Sequence, residues 1–183
     1  MKALLYCYRE SAFNNWLGLA RAGVLCRPMT APPLSDQTFP YDRLRDVDLV
    51  YIALHGSPAQ TEMLFADAAM TQPAFSSAFL STVAPSMAGS VVILEGCWGL
   101  ATIFPEIFQD LGASAVIASQ KPTYDRLRGL GSAGALMSRV VGALKRGAPV
   151  GEALERAKNK VDKGRDQGFV IVGEPTSRLR SLV

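Results

Sequence analysis

One histidine and one cysteine stand out because each closes an apolar run beside a glycine. The first run, Asp48-Leu49-Val50-Tyr51-Ile52-Ala53-Leu54, stops on His55-Gly56, and His55 is the only histidine of the chain. The second, Ser90-Val91-Val92-Ile93-Leu94, stops on Glu95-Gly96-Cys97-Trp98-Gly99. Each run has the length and β-branched content of a strand buried on both faces, and the glycines allow the backbone to turn sharply. Strands separated by helices are usually parallel neighbours, so imidazole and thiol are expected side by side at the carboxyl edge of one sheet, where α/β proteins place their chemistry. A thiol attacks a peptide carbonyl as thiolate, and the oxyanion that follows needs donors already in place. Cys97 fits that nucleophile. The competing reading makes His55 a capped loop histidine and Cys97 a buried thiol.

Glu95 adds to the pattern. Side chains on a strand repeat at two, so Glu95 is expected to face the same way as Cys97, where a carboxylate is costly without a task. It either binds a substrate side chain or pairs with an arginine of its own chain, for which Arg9 is a candidate.

The elements that must position these groups can be read in chain order. Ala3 to Tyr8 reads as a first buried strand holding Cys7. Phe13, Trp16, Leu17, Ala20 and Val24 fall at helical spacing with Gly23 as a stop, and a short strand around Val24 to Arg27 holds Cys26. Pro28 to Pro40 is a loop. After Ser57-Pro58, Met63 to Ala66 reads as a short hairpin strand near the active edge. Thr71 reads as a helix N-cap with Pro73 in the first turn and Phe75, Phe79 and Val83 as its buried stripe, a crossover between the two central strands. Ile103, Phe104, Ile107, Phe108 and Leu111 predict a helix with Pro105 early and Gly112 at its end. Its amino end is expected just past Cys97, where unpaired amides and the dipole favour a thiolate. Ala115 to Ser119 reads as a strand and Gln120 to Gly131 as a polar loop. Two helices with one-sided stripes follow, marked by Leu136, Met137, Val140 and Leu144 and by Val150, Leu154, Ala157 and Val161. Phe169 to Val172 closes the sheet, and Arg178 and Arg180 lie in a tail.

A strand ending His-Gly, followed some tens of residues later by a strand ending in Cys, resembles the caspase-like (clan CD) cysteine peptidases, which include caspases, legumain, separase, gingipain and the bacterial CHAT domains. Three further stretches resemble the CHAT branch: Leu111 to Ser119, Gly147-Ala148-Pro149-Val150-Gly151-Glu152-Ala153-Leu154, and Phe169-Val170-Ile171-Val172-Gly173-Glu174-Pro175, whose family counterpart often reads Gly-Asp-Pro. The resemblance runs from about Val47 to Pro175. It implies a three-layer α/β/α sandwich with a mainly parallel sheet, as one domain over residues 1–183. It also implies a cysteine endopeptidase in which His55 gives a proton to the leaving amine, Cys97 attacks, and the backbone amides of Gly56 and Cys97 receive the oxyanion. By the same resemblance Glu95 lines the pocket for a basic or amide side chain, as a Glu does in legumain, although most CHAT domains carry a small residue there. Asp125 is a candidate second acidic specificity residue, and Ser119, Gln120 and Lys121 are candidates to offer backbone to an extended substrate; the competing reading of that loop is solvated surface. Members of the group are commonly latent until a ligand, processing or a partner orders their loops. A protein substrate and a separate regulatory protein are therefore the expected partners.

Composition sets the outer limits. At 183 residues, one core is large enough to bury roughly 70% of the unfolded surface. Hydrophobic content of 49% with 19% charged residues suits a soluble α/β protein, and a net charge of +3 is too small and dispersed to indicate nucleic acid. No apolar run is long enough for a membrane span, and Met1-Lys2 leads into a strand rather than a signal peptide. Three cysteines without metal-ligand spacing read as reduced thiols of a cytoplasmic protein, and a single histidine argues against zinc, so neither metal nor other cofactor is expected; the resemblance to the CHAT domains implies a bacterial source. Gly129-Leu130-Gly131 lacks the third glycine and the later acid of a dinucleotide site. Two alternatives stand beside the peptidase: a non-enzymatic interaction module that uses the groove or the arginine tail, and a thiol amidase acting on small molecules.

Overall fold

The two apolar runs form neighbouring strands at the centre of a six-stranded sheet, with every residue of both buried. The computed structural model describes residues 1–7, 25–29, 44–45, 47–65, 69–71, 73–83, 85–123, 133–161 and 168–180. Within these, the order is β1 (Lys2–Cys7), β2 (Leu25–Met29), β3 (Leu49–Ala53), β4 (Met63–Phe65), β5 (Pro73–Ser76), α1 (Ser77–Val83), β6 (Val91–Leu94), a 3₁₀ turn (Gly99–Ala101), α2 (Phe104–Asp110), β7 (Ala115–Ser119), α3 (Ala133–Lys145), α4 (Val150–Val161) and β8 (Phe169–Gly173). The helix expected before β2 lies outside the described residues.

Five parallel strands run β2-β1-β3-β6-β7, and β8 adds antiparallel at the far side of β7. The chain steps from β1 outward to β2 and returns to β3 on the opposite side. That reversal is a topological switch point, whose crevice opens at the carboxyl ends of β1 and β3. Alternation along the strands then divides the core in two. Leu49, Tyr51, Ile93 and Ile117 face the helices α3 and α4, whereas Val50, Ile52, Val92, Leu94 and Val116 face α1, α2 and the β4–β5 hairpin. The expected α/β/α sandwich with a mainly parallel sheet is the observed one. Fully burying each of these branched side chains stabilises the fold by about 1.5–3 kcal/mol.

The crossover between β3 and β6 departs from expectation at its start. Pro73, Ala74 and Phe75 belong to a strand paired antiparallel with β4, so Thr71 does not cap a helix. Phe75 drives the difference, because its ring is fully buried and packs on Phe104 and Phe108 at centroid distances of 5.3 and 6.3 Å. Tyr6 Oη donates to the carbonyl of Ala74 at 3.0 Å and fixes the same strand to β1. The helix begins afterwards at Ser77, capped by the Ser76 hydroxyl accepting from the Phe79 amide at 3.4 Å. Leu80, rather than Phe79, is its fully buried residue, and Phe79 is exposed.

Two other motifs acquire physical reasons. In Gly173-Glu174-Pro175, Gly173 has φ +96°, and the chain then folds back so that the carbonyls of Pro175 and Ser177 accept from the amides of Gly151 and Val150 at 2.8 and 2.9 Å. The turn thus satisfies the orphan donors at the start of α4. The Glu174 carboxyl accepts from the Thr176 hydroxyl and amide at 2.7 and 3.0 Å, which holds it below the usual carboxylate range. The arginine tail is tied back to the domain: Leu179 is fully buried, Arg178 donates to the Gly147 carbonyl, and Arg180 reaches the amino edge of the sheet. No described helix is long and apolar enough to cross a membrane.

Candidate active site

β3 and β6 pair in parallel register, Ile52 beside Leu94, so the segments that follow leave the sheet together. Pairing continues one step, with the Glu95 amide donating to the Ile52 carbonyl at 2.8 Å. Beyond that, two glycines let the turns interlock. A Cβ on Gly56 would lie 2.5 Å from the Cys97 carbonyl oxygen, and one on Gly96 would lie 2.5 Å from the Leu54 oxygen. No side chain fits at either place, so the His55-Gly56 and Gly96-Cys97 backbones meet only because both positions are glycine. Among the described residues no backbone carbonyl accepts from the amides of Gly56 or Cys97.

His55 is fixed from the other side by the hairpin. Its amide donates to the Phe65 carbonyl at 2.9 Å and its carbonyl accepts from the Phe65 amide at 2.8 Å, an isolated antiparallel bridge. The residue is half-buried. Ile103 donates to the Thr61 carbonyl at 3.1 Å, which ties the loop after β3 to the segment after Cys97.

The turn carrying Cys97 is sharp. Trp98 sits in the left-handed region at φ 59°, ψ 26°, a conformation that costs a non-glycine residue about 1 kcal/mol or more. Its amide donates to the Lys121 carbonyl at 3.2 Å, and its carbonyl accepts from Ala101 at 2.8 Å. The expected helix does not start here: a 3₁₀ turn of three residues intervenes and α2 begins at Phe104. The groups at the sulfur come instead from the segment after β7. The Thr123 amide donates to Cys97 Sγ at 3.4 Å, the thiol donates to the Thr123 carbonyl at 3.7 Å, and Thr123 Oγ1 lies 3.7 Å from the sulfur. Nothing local in the sequence marks Thr123; its approach follows from β7 lying beside β6.

Glu95 is buried at 6% exposure, and Tyr51 donates its phenol hydrogen to Oε2. Tyr51 pairs with Ile93, so it reaches Glu95 along the diagonal on the face shared with α3 and α4. The suggested partner Arg9 lies outside the described residues, as does Asp125. Ser119 is fully buried; its hydroxyl donates to the Lys121 carbonyl at 2.7 Å and accepts from the Lys121 amide at 3.1 Å. Gln120 is exposed, and its amide donates to the Gly168 carbonyl at 2.9 Å. The amide donors of Gln120 and Lys121 are thus taken up inside the chain, because β8 already occupies the outer edge of β7. No group of three or more His, Cys, Asp or Glu able to hold a metal occurs among the described residues.

No protein-family model matches the chain, and no curated protein sequence matches it. Among solved structures, the crystal structure of the Arg-specific cysteine proteinase gingipain R superposes with a TM-score of 0.66 at 16% sequence identity. The match covers 98% of this chain and 47% of that one, so this chain spans about half the length of the structure it resembles. The likeness is one of fold, a mostly parallel sheet flanked by helices.

Proposed function

We propose that the chain is a caspase-like cysteine endopeptidase with a Cys97/His55 dyad. The observation that carries this reading is the interlock of Gly56 and Gly96, which brings the His55 and Cys97 turns together at the carboxyl edge of the sheet. In the proposed reaction the Cys97 thiolate forms a bond to the scissile carbonyl carbon, and the amides of Gly56 and Cys97 receive the oxyanion. The carbon–nitrogen bond then breaks as protonated His55 donates to the departing amine. Water attacks the resulting thioester, neutral His55 takes its proton, and the carboxylic product leaves with the thiolate restored.

For specificity we propose that Glu95, held by Tyr51, recognises a basic or amide side chain, with Gln120 at the rim, Ser119 holding that segment from beneath and Asp125 as a further acidic contact. The lean towards a basic side chain gains from the likeness to a proteinase described as Arg-specific. The sequence stretches around Leu111 to Ser119, Gly147 to Leu154 and Phe169 to Pro175 support kinship with the CHAT branch, and we propose a cytoplasmic protein whose activity is governed by a separate partner.

Titration with an arginyl acyloxymethyl ketone peptide tests the nucleophile. The expected result is a stoichiometric thioether on Cys97 that is absent from Cys97→Ala and strongly reduced in His55→Ala. Equal labelling of Cys7 or Cys26, or none on Cys97 with or without added cell extract, would remove the enzyme claim.

A further inference from the structure

We infer that Ser119-Gln120-Lys121-Pro122-Thr123 is a strap that keeps the Cys97 thiol closed until the segment lifts, an inference that rests on reading Cys97 as the nucleophile. An attacking sulfur must bring a carbonyl carbon to about 3–3.5 Å. Thr123 N already lies within that shell at 3.4 Å, and Thr123 O and Oγ1 crowd its outer side at 3.7 Å each. The Thr123 carbonyl and hydroxyl both lie within reach of the thiol hydrogen, so Thr123 can hold it in the closed state.

The strap is moored at three places, all described above and all separate from the thiol. Ser119 Oγ clasps Lys121 through both its carbonyl and its amide. The Trp98 amide holds the Lys121 carbonyl, so the left-handed residue after the nucleophile is fastened by the same strap that covers the sulfur. The Gln120 amide holds the Gly168 carbonyl. Gly168 itself has φ +67°, and a Cβ there would lie 2.9 Å from Lys121 Cγ, so the lead into β8 is shaped to receive the Lys121 stem. Lifting Thr123 clears the sulfur and loosens the turn at Trp98 together. Anything that pulls on the chain beyond Thr123 therefore acts on the nucleophile.

The test is the rate of Cys97 alkylation by iodoacetamide in the intact chain, read by mass spectrometry on the peptide that carries Cys97. Ser119→Ala removes one mooring, and Thr123→Gly loosens the cover. Ser119→Ala is expected to react about tenfold faster than the natural chain, the shift that follows from losing slightly more than one net hydrogen bond from the closed state, and Thr123→Gly, which keeps the backbone amide and carbonyl at the sulfur but frees their dihedrals, severalfold faster. An unchanged or slower rate in both overturns the strap, and a slower one would make Thr123 an activator of the thiol. If Ser119→Ala melts below the assay temperature, the half-buried Thr123→Gly decides alone. Alkylation needs no peptide cleavage, so the two claims separate. Faster alkylation in a chain that cuts no peptide removes the peptidase and leaves the strap; peptide cleavage with unchanged alkylation does the reverse.

Discussion

The two edges of the same central strands are built on opposite plans. At the amino edge a polar residue precedes each strand and is cross-linked to the rest. The Lys2 amide donates to Asp48 Oδ2 at 2.7 Å, Ser90 Oγ donates to the Val47 carbonyl at 2.8 Å, and Ser114 donates twice to the Ser90 carbonyl, at 2.8 Å from its amide and 3.1 Å from its hydroxyl. Arg180 closes this edge, its Nε 3.6 Å from Asp48 Oδ1 and its Nη2 2.9 Å from the Val47 carbonyl. At the carboxyl edge the His55 and Cys97 turns meet backbone against backbone at two glycines, Trp98 is left-handed, and a thiol, an imidazole and a buried acid gather where the other edge has a cross-linked clamp. One edge holds the strands in register; the other spends stability on bringing reactive groups together. Strain gathered at one edge is thus offset at the other.

Substitutions can break that contrast, and the largest effect is expected at Gly96. Gly96→Ala drives a Cβ against the Leu54 carbonyl, with backbone on both sides and no side chain able to give way. A loss of about 3 kcal/mol is expected by denaturant melting, together with loss of Cys97 labelling by the peptide electrophile. A neutral result would mean that the interlock is not what joins the two turns.

Asp48→Ala comes next. It strands the Lys2 amide and removes the acid beneath Arg180, for an expected cost of about 2 kcal/mol. Most of that belongs to the part-buried amide bond, because Arg180 is 38% exposed and its ion pair is screened by water. The labelling rate of Cys97 at the opposite edge should stay as it was. A changed rate would show the edges to be coupled.

The smallest of the three is Tyr51→Phe, which leaves Glu95 one donor short inside the core and should cost about 1–2 kcal/mol in chemical denaturation. It sharpens the contrast by asking whether Glu95 belongs to the structural plan or the reactive one. If discrimination between arginyl and alanyl peptides falls while the melting point barely moves, Glu95 serves the site.

Much of this layout is legible in the sequence, for local reasons. The central strands announce themselves because a strand buried on both faces is a continuous apolar run, and the glycines behind them mark sharp turns. Residues 71–83 are misleading because Thr71 and Pro73 satisfy the local rules for a helix start, yet Phe75 gains more in the aromatic cluster with Phe104 and Phe108, and the cap passes to Ser76. Thr123 is invisible from the sequence: it meets Cys97 only across two adjacent strand ends, 26 residues on. The period-two rule puts Glu95 on a definite face, but its partner is Tyr51, a diagonal neighbour that only strand register identifies. The Asp48–Arg180 clamp joins the start of a central strand to the tail for the same non-local reason.

The most direct measurement of the central claim is the sequencing of new termini after a denatured peptide library is incubated with the Ser119→Ala chain, in parallel with the same chain carrying Cys97→Ala or His55→Ala. The account predicts cuts enriched after arginine, lysine or asparagine that vanish with Cys97→Ala and nearly vanish with His55→Ala. Identical termini in all three samples, or none in any of them while Cys97 is freely alkylated, would contradict it.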